Sequence, residues 1–168
     1  MSVFEYNFEQ YKSLSPDLYR KEKYNLQVEL LKLQEDVIKK KRKIAICFEG
    51  RDTAGKSSTI NFFSEHLIPS NFNYVHLGIP TKKERKNWFE RYETYLPNKG
   101  QIVLFDRSWY TRALTEPTLG YCSKKQYEEF MTKVNKWEKS LVKKGTELVK
   151  FYFSIDKDQQ KRRLNARQ

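Results

Sequence analysis

An apolar run that ends in a glycine-rich loop is the feature that most constrains how this chain folds. Residues 44–50 (IAICFEG) are rich in strand-forming side chains and end in glycine, and residues 55–67 have a helical pattern. A strand, a loop and a helix in this order begin a unit in which the next strand runs parallel, because parallel neighbours require a crossover connection. The segment therefore predicts an α/β fold.

The rest of the chain continues this alternation. An amphipathic helix is predicted over 21–43, because leucines and a valine recur there at helical spacing: Leu26, Leu30, Leu33 and Val37. Later patterns predict strands at 74–77, 101–105 and 148–154, and helices at 82–95, at 123–144 and from Asp156 to Gln168. This order predicts a central, mainly parallel sheet with helices on both faces.

Several helix ends are marked in the sequence. Ser123 and Gln126 form a capping-box pattern, and Gly145 suits the left-handed residue after a helix. The first twenty residues contain a Ser15-Pro16 break and predict an irregular arm. The last helical pattern has no stop signal before Gln168, which indicates a piece of a longer chain.

We expect one domain over 1–168. It comprises an N-terminal arm and helix over 1–43, a core over 44–155 and the start of a final helix over 156–168. The length suits a single hydrophobic core, and neither an internal repeat nor a linker interrupts the patterns.

The chain is strongly basic. It has 33 Lys and Arg against 21 Asp and Glu, a formal net charge of +12, which favours a polyanionic partner such as nucleic acid, an acidic membrane surface or a phosphate-rich substrate. The lysine-rich segment 39–43 has two interpretations. It is either a set of cations favoured at a helix carboxyl end or part of an anion-attracting face, and we favour the first.

Other features narrow the class of protein. The apolar runs are far shorter than the roughly 20 residues that a membrane helix requires, so we predict no membrane partner. The amino terminus lacks a secretory signal, which predicts the cytoplasm. Cys47 and Cys122 are predicted to be reduced thiols rather than a disulfide or zinc pair.

The loop after the first strand matches the phosphate-binding motif G-x-x-x-x-G-K-[ST]. Its glycines allow the backbone amides to turn inward, the helix that follows presents free N–H groups, and Lys56 can reach the outer phosphates. Ser57 is placed to bind a magnesium ion. The predicted nucleotide- and phosphate-binding residues are Gly50, Arg51, Thr53, Ala54, Gly55, Lys56, Ser57 and Ser58.

A second group of residues follows the predicted strand 101–105. In this topology the carboxyl end of that strand delivers Asp106 beside the phosphate loop, where an acid holds magnesium directly or through water. Arg107 and Arg112 suit a clamp on the moving phosphoryl group. The alternative is structural, since a strand-ending Asp often caps a helix and an adjacent Arg often forms a surface ion pair.

Asp52 is unusual inside a phosphate loop, because a carboxylate among phosphates is repelled unless a cation stands between them. It is predicted to be a second magnesium ligand or a base. The alternative is a simple ion pair with Arg51.

At these residues the sequence resembles the polyphosphate kinase 2 family, whose members move phosphoryl groups between inorganic polyphosphate and nucleotides. The segment FEGRDTAGKSSTI resembles the Walker A region of the family, and VLFDRSWYTRALTEPTLGYCS resembles its Walker B region and following loop. Between them, LGIPTKKERKNWFERYETYLPNKG resembles the middle region. The resemblance covers about residues 44–167, and the run Phe-Asp-Arg-Ser-Trp-Tyr is its most specific part.

The resemblance implies a three-layer, thymidylate-kinase-like P-loop kinase fold with a mobile helical lid, and dependence on Mg²⁺, with Mn²⁺ as a substitute. It implies catalytic roles for Asp52, Lys56, Asp106, Arg107 and Arg112, and metal binding by Asp52, Asp106 and Ser57. Lys161, Arg162, Arg163 and Arg167 fall where the family places its lid. Polyphosphate is expected to contact Lys82, Lys83, Arg107, Arg112, Arg162, Arg163 and Arg167.

Some positions depart from the family pattern. Thr111 stands where asparagine is usual, residues 113–116 (ALTE) replace Ala-Gly-Val-Glu, and Ser57-Ser58 replaces the frequent Gly-Gly. None of these changes removes a charged group. The Asp-Arg-Ser-Trp-Tyr form is similar to that of members that use nucleoside diphosphates.

The resulting hypothesis is a Mg²⁺-dependent enzyme that transfers a phosphoryl group reversibly between polyphosphate and a nucleoside diphosphate, mainly ADP to ATP, with GDP/GTP or AMP as further partners. A homo-oligomer, either a dimer or a tetramer, is expected. One alternative is an ATP-dependent nucleoside monophosphate kinase of the thymidylate type. Another is a nucleic-acid-binding P-loop protein, although no recognition-helix or zinc pattern appears and no specific nucleic-acid partner is expected.

Overall fold

The computed structural model of the chain describes residues 14–167, which form a four-stranded sheet between two layers of helices. The strands are β1 (Lys43–Gly50), β2 (Phe72–Val75), β3 (Gln101–Asp106) and β4 (Thr146–Phe153). Their order is β2-β3-β1-β4, and all three strand pairs are parallel. The expected α/β architecture with a parallel sheet is therefore confirmed.

Seven α-helices accompany the strands within the described range. They are α1 (Pro16–Lys39), α2 (Lys56–Ser64), α3 (Lys82–Lys86), α4 (Glu90–Glu93), α5 (Thr115–Thr118), α6 (Lys124–Lys143) and α7 (Lys157–Asn165). Two 3-10 helices lie at Pro69–Asn71 and Trp109–Arg112. None of the helices between residues 14 and 167 is long and apolar enough to cross a membrane.

The two faces of the sheet bury different clusters, because successive side chains of a strand point to opposite faces. On one face, Ile44, Ile46 and Phe48 of β1 pack with Val37 of α1 and Ile60 of α2. On the other face, alternate residues of β1 and β3 pack with the region around α4 and with α6, in a cluster that contains Ala45, Cys47, Val103, Phe105, Trp88, Tyr92, Trp109, Phe130 and Val134. These are the three layers that the strand and helix alternation predicts.

The longest helices begin and end at recognisable signals. Ser123 caps α6, and its hydroxyl and the Gln126 side chain make both bonds of the capping box. Gly145 follows α6 with a φ of 82°, as the sequence predicts. Asp156 caps α7 by accepting a bond of 2.6 Å from the Gln159 amide.

The amino-terminal helix both begins and ends earlier than the predicted 21–43, since α1 spans Pro16–Lys39. We predicted an irregular arm over the first twenty residues, but α1 begins at Pro16, and the Ser15 hydroxyl accepts a bond of 3.2 Å from the Leu18 amide. A proline at the first helical position lacks only an N–H that a helix start leaves unpaired, so the Ser15-Pro16 pair starts the helix rather than breaking it. The part of the predicted arm over 1–13 lies outside the described residues.

Two other predicted helices differ from the structure. The helix expected over 82–95 is divided into α3 and α4, because Asn87 leaves the helical region (φ −110°, ψ 61°) and Trp88 turns into the core, where its indole N–H donates to the Trp109 carbonyl at 2.9 Å. The final helix ends at Asn165 rather than continuing to Arg167, and Gln168 lies outside the described range.

Candidate functional site

The loop between β1 and α2 lies at the carboxyl end of the sheet, and its two glycines are required by its shape. Gly50 has a φ of 136°, and a Cβ atom there would lie 2.3 Å from the Phe153 carbonyl oxygen of β4. Gly55 has a φ of 103° at the position that precedes α2. A side chain is strained at both angles, so the motif glycines set the path of the loop.

Lys56 holds this loop from inside. Its side chain is only 5% exposed, and Nζ donates to the carbonyl oxygens of Gly50 at 3.0 Å and Arg51 at 2.8 Å. Burial lowers the pKa of Lys56, and the nearby Arg107 guanidinium lowers it further. The first turn of α2 thus presents a buried cation beneath the mouth of the loop.

Asp106 ends β3 beside this loop, because it pairs with Phe48 in the register between β3 and β1. The carboxylate is 4% exposed and accepts hydrogen bonds from the Ser57 hydroxyl at 2.8 Å and from the Tyr74 hydroxyl at 3.0 Å. His76 Nδ1 lies 3.8 Å from the same oxygen. Burial, together with the Asp106 carboxylate, raises the pKa of Tyr74 to about 12.

The donor set at Asp106 fits a magnesium ion. Mg²⁺ is usually bound through one or two carboxylates plus phosphates and waters, and a hydroxyl and a carboxylate already meet here. Within residues 14–167 no group of three or more His, Cys, Asp and Glu side chains offers a zinc-type site. Ser57 and Asp106 thus bring together a hydroxyl and a carboxylate that could hold a divalent ion.

Asp52 is engaged by Arg167, two residues beyond the end of α7, rather than by Arg51. Its Oδ2 lies 2.9 Å from Nη2 of Arg167, and its Oδ1 accepts a bond of 3.0 Å from the Thr53 amide. Partial burial raises the pKa of Asp52, but the Arg167 guanidinium and the Thr53 amide outweigh this effect and the pKa is lowered. Asp52 is therefore an anion held by a cation that lies just beyond the end of α7.

Two further contacts bring α7 onto the loop. Arg163 Nη1 donates to the Thr53 carbonyl at 2.9 Å, and Gln160 Nε2 donates to the Asp52 carbonyl at 3.3 Å. Arg162 instead bonds to Gln159 of its own helix at 2.8 Å. Of the predicted lid cations, the structure thus places Arg163 and Arg167 at the loop.

Arg107 stands at the centre of three adjoining clefts. The loop cleft has a volume of about 320 Å³ and brings most of the predicted residues together, being lined by Asp52, Thr53, Gly55, Lys56, Ser57, Ser58, His76, Asp106, Arg107, Arg163 and Arg167. A second cleft of about 510 Å³ runs past Gly50, Arg51 and Tyr152. Arg107 lines both of these clefts and also a third cleft.

The third cleft, of about 310 Å³, has a mixed lining. Leu77, Ile79 and Pro80 follow β2 along one wall, and the rims of Trp88 and Tyr92 contribute aromatic surface. Trp88 and Tyr92 are both buried core residues. The edges of both rings also face this cleft. Its apolar and aromatic lining suits a flat ring system.

Other predicted residues lie elsewhere. Arg112 is 1% exposed, and its guanidinium carbon lies 4.0 Å from the centroid of the Trp88 ring, while Nη1 lies 3.1 Å from Glu116. Arg112 is absent from the lining of the loop cleft. Lys82 and Lys83 are exposed in α3. Contact of these three residues with phosphate stays a prediction.

Sequence reasoning assigned no role to three residues that the structure brings to this site. Tyr74 and His76 contact Asp106 because β2 neighbours β3, a pairing that no local motif shows. Glu49 is 7% exposed and accepts bonds from the Ser108 amide and hydroxyl at 2.6 and 2.7 Å. The sequence feature that could have identified Glu49 is a charged residue within a strand predicted to be buried.

Comparison with known protein families gives one match that spans nearly the whole chain. The sequence model of the family described as Polyphosphate kinase 2 (PPK2) matches residues 13–168. Among curated relatives, a GDP-polyphosphate phosphotransferase of Mycolicibacterium smegmatis is 46% identical over 151 residues, which is 89% of this chain and 53% of that protein. An ADP-polyphosphate phosphotransferase of Pseudomonas aeruginosa is 43% identical over 155 residues, 92% of this chain and 51% of that protein.

Solved structures give the same similarity. The chain superposes on the crystal structure of a polyphosphate kinase 2 from Pseudomonas aeruginosa PA01 with a TM-score of 0.85 and 30% identity, over 96% of this chain and 35% of that one. For polyphosphate kinase 2 from Arthrobacter aurescens TC1 the TM-score is 0.84 at 25% identity, over 92% of this chain and 57% of that one. The chain spans about half the length of the curated relatives named above.

Proposed function

Because the chain belongs to the polyphosphate kinase 2 family, we propose that it transfers a phosphoryl group reversibly between inorganic polyphosphate and a nucleoside diphosphate, with ADP to ATP as the main reaction. One observation carries the proposal. Lys56, Ser57, Asp106 and Arg107 converge on a single cleft at the phosphate loop, which is the equipment that phosphoryl transfer needs for positioning and charge neutralisation.

Lys56 and the loop amides would hold the phosphate that moves. The lysine is already fixed by two loop carbonyls, so little ordering is required when the phosphate arrives. Arg107 faces the same cleft and offsets the negative charge that spreads over the transferring group. No covalent intermediate on the protein is required.

We propose that Ser57 and Asp106 hold Mg²⁺, with Mn²⁺ as a substitute, and that Asp52 joins them when Arg167 leaves it. The ion supplies charge neutralisation between the phosphates of the two substrates. Tyr74 and His76 keep the Asp106 carboxylate in place from the β2 side. They are oriented toward the same oxygen that accepts the Ser57 bond.

The three clefts suggest how two substrates share the site. The aromatic and apolar cleft beside Trp88 and Tyr92 suits the nucleoside, because a base buries a flat ring and needs few polar partners. The cationic side, formed by Arg51, Arg163 and Arg167, suits the polyphosphate chain. Arg107 borders both, which supports a position for it where the phosphoryl group would pass between them.

Other parts of the proposal follow from the sequence and the family. We propose a cytoplasmic enzyme, in line with Cys47 and Cys122, which are both free thiols. We also propose a homo-oligomer, a dimer or tetramer, which light scattering on the purified protein would measure. GDP and AMP are proposed as further acceptors.

The direct test is a transfer assay. The purified protein is incubated with polyphosphate, Mg²⁺ and ADP, GDP or AMP in turn, and nucleotide products are separated by chromatography. We expect ATP from ADP as the largest signal. A parallel reaction with ATP and thymidine monophosphate checks the alternative kinase activity. Product only in that reaction, or no product from any polyphosphate reaction, would overturn the proposal.

A further inference from the structure

The turn that carries Asp106 and Arg107 has a backbone that must be held in place. Arg107 has a φ of 64°, a left-handed conformation that is uncommon for a residue with a side chain. Such angles persist where the surrounding contacts determine them, and they are found at functional sites. The direction of the Arg107 side chain depends on this angle.

Two consecutive residues of β1 hold two consecutive amides of this turn. The Phe48 carbonyl accepts a bond of 3.1 Å from the Arg107 amide. The next residue, Glu49, reaches across with its side chain and accepts bonds from the Ser108 amide at 2.6 Å and the Ser108 hydroxyl at 2.7 Å, both through Oε1. The peptide unit after Arg107 is thereby tied to the strand that leads into the phosphate loop.

Without these hydrogen bonds, burial of the Glu49 carboxylate would be strongly unfavourable. Its side chain lies on the apolar face of β1 that also buries Ala45 and Cys47, and burial raises its pKa even though the Ser108 hydroxyl and amide oppose this. A carboxylate in such a place is tolerated when its hydrogen bonds are made and are short. Here the bonds go to the residue directly after Arg107.

We propose that Glu49 is a positioning residue for the phosphoryl-transfer reaction: by binding the Ser108 amide and hydroxyl, it sets the left-handed turn that aims Arg107 into the cleft shared with Lys56. The inference rests on the proposed function. Glu49 acts through Arg107 and does not touch the substrate. Its loss should lower kcat while leaving the KM for ADP nearly unchanged.

The same segment offers a matched control. Glu138 of α6 is also buried and also accepts several bonds from this stretch, from Trp109 Nε1 at 2.9 Å and the Tyr110 hydroxyl at 2.8 Å, while Lys150 donates to it at 2.8 Å. These partners are side chains beyond the turn, not its backbone. Glu138 is therefore comparable with Glu49 in burial and bonding but is not tied to Arg107.

The experiment compares Glu49→Leu, Glu49→Gln and Glu138→Leu in the polyphosphate and ADP assay, with Tm measured for each. For Glu49→Leu we expect kcat to fall by tenfold to about a hundredfold, with the KM for ADP within about twofold of wild type. Glu49→Gln keeps an acceptor oxygen at the same reach and should restore kcat to within about threefold. Glu138→Leu should lower Tm at least as much while kcat stays within about threefold.

Equal kcat in Glu49→Leu and wild type would overturn the inference, and so would parallel losses of kcat and Tm in the Glu49 and Glu138 variants. If Glu49→Leu does not fold, Ser108→Ala decides, because it removes the hydroxyl bond to Glu49 and keeps the Ser108 amide. It also removes the bond of 3.3 Å that this hydroxyl accepts from the Tyr110 amide, so its Tm is measured alongside kcat. A lower kcat at unchanged KM supports the inference, and an unchanged kcat overturns it. A wild-type protein without transfer would instead refute the proposed function.

Discussion

The two ends of the sheet both carry many basic residues, yet they use them differently. At the amino end, the lysines near the ends of α1 and α6 and just before β3 are exposed, and we call this set the amino-end lysines: Lys39, Lys40, Lys41, Lys99, Lys143 and Lys144. Of these, Lys40 pairs with Asp36 at 2.6 Å. Arg42 nearby is held by Asp36 and Glu147, each at 2.6 Å. These charges follow helix ends, where cations are favoured.

At the carboxyl end, charges are buried and converge. Lys56, Asp106 and Glu49 are each less than a tenth exposed, and their bonds connect three neighbouring elements of the loop and sheet. Burying a charge is costly unless it is well bonded. The net charge of +12 therefore does not mark the site, whereas buried, convergent charge does.

The largest expected effect is at the centre of the carboxyl end. Asp106→Asn keeps the shape of the side chain and still accepts from Ser57, but it removes the charge that would hold Mg²⁺. We expect kcat to fall by about a hundredfold or more, with Tm close to wild type. Assays over a range of Mg²⁺ concentrations measure this, and a rate near wild type at every concentration would remove Asp106 from the mechanism.

The next effect concerns the backbone. Gly50→Ala places a Cβ atom 2.3 Å from the Phe153 carbonyl oxygen at a φ that disfavours side chains, so the loop or β4 must move. We expect a loss of about 2–4 kcal/mol in the free energy of unfolding, measured by urea denaturation. Gly145→Ala at the amino end is the control, because its nearest neighbour is a flexible lysine side chain at 3.9 Å. A larger loss in the control would contradict this account.

A third prediction compares the loss of two cations at the carboxyl end of the sheet with the loss of two at its amino end. Changing Arg163 and Arg167 together to Gln should raise the KM for polyphosphate by about tenfold, because both contact the phosphate loop. The matched change of Lys39 and Lys41 to Gln removes the same charge from the amino end and should alter KM by less than about twofold. Added salt should raise the KM of the wild type. Equal effects of the two double variants would show that net charge, not position, controls binding.

The smallest effect is at the amino end itself. Lys40 and Arg42 lower the pKa of Asp36, and Arg42 lowers that of Glu147. Because both pKa values lie below those in the unfolded chain, the pairs stabilise the protein above about pH 4 and lose this contribution as the pH falls through the folded values. Arg42→Gln should lower Tm by a few degrees at most at neutral pH, with a smaller difference near pH 3. A Tm difference that is larger near pH 3 than at neutral pH would contradict this prediction.

The local signals of the sequence predicted local structure well. The Ser123 cap, Gly145 and the loop glycines act over a few residues, and the structure confirms their geometry. Pro16 was misjudged because proline both breaks helices and begins them, and the choice depends on which residues follow. The division between α3 and α4 depends on Trp88 reaching Trp109, a contact between residues far apart in the chain.

The candidate site was predicted to the extent that its motifs are contiguous. The phosphate loop and the Asp106-Arg107 pair lie together at one cleft, as their positions at the ends of β1 and β3 imply. Tyr74, His76 and Glu49 were missed because their roles depend on strand order and on a side chain that crosses between strands. Arg112 was predicted to lie at the site because of its motif position, but a motif gives only the residue type. It does not show that the side chain is buried against Trp88.

The contact between Gly50 and Phe153 has a mechanical consequence. Only three residues separate Phe153 from the first residue of α7, so the base of the last helix is anchored against the loop itself. At about 1.5 Å per residue, a nine-residue helix is a lever of about 14 Å. A rotation of about 20° at its base would carry its tip about 5 Å, which is enough to part Arg167 from Asp52. A turn of this size at the residues between β4 and α7 would therefore be sufficient to separate the two side chains while the sheet keeps its place.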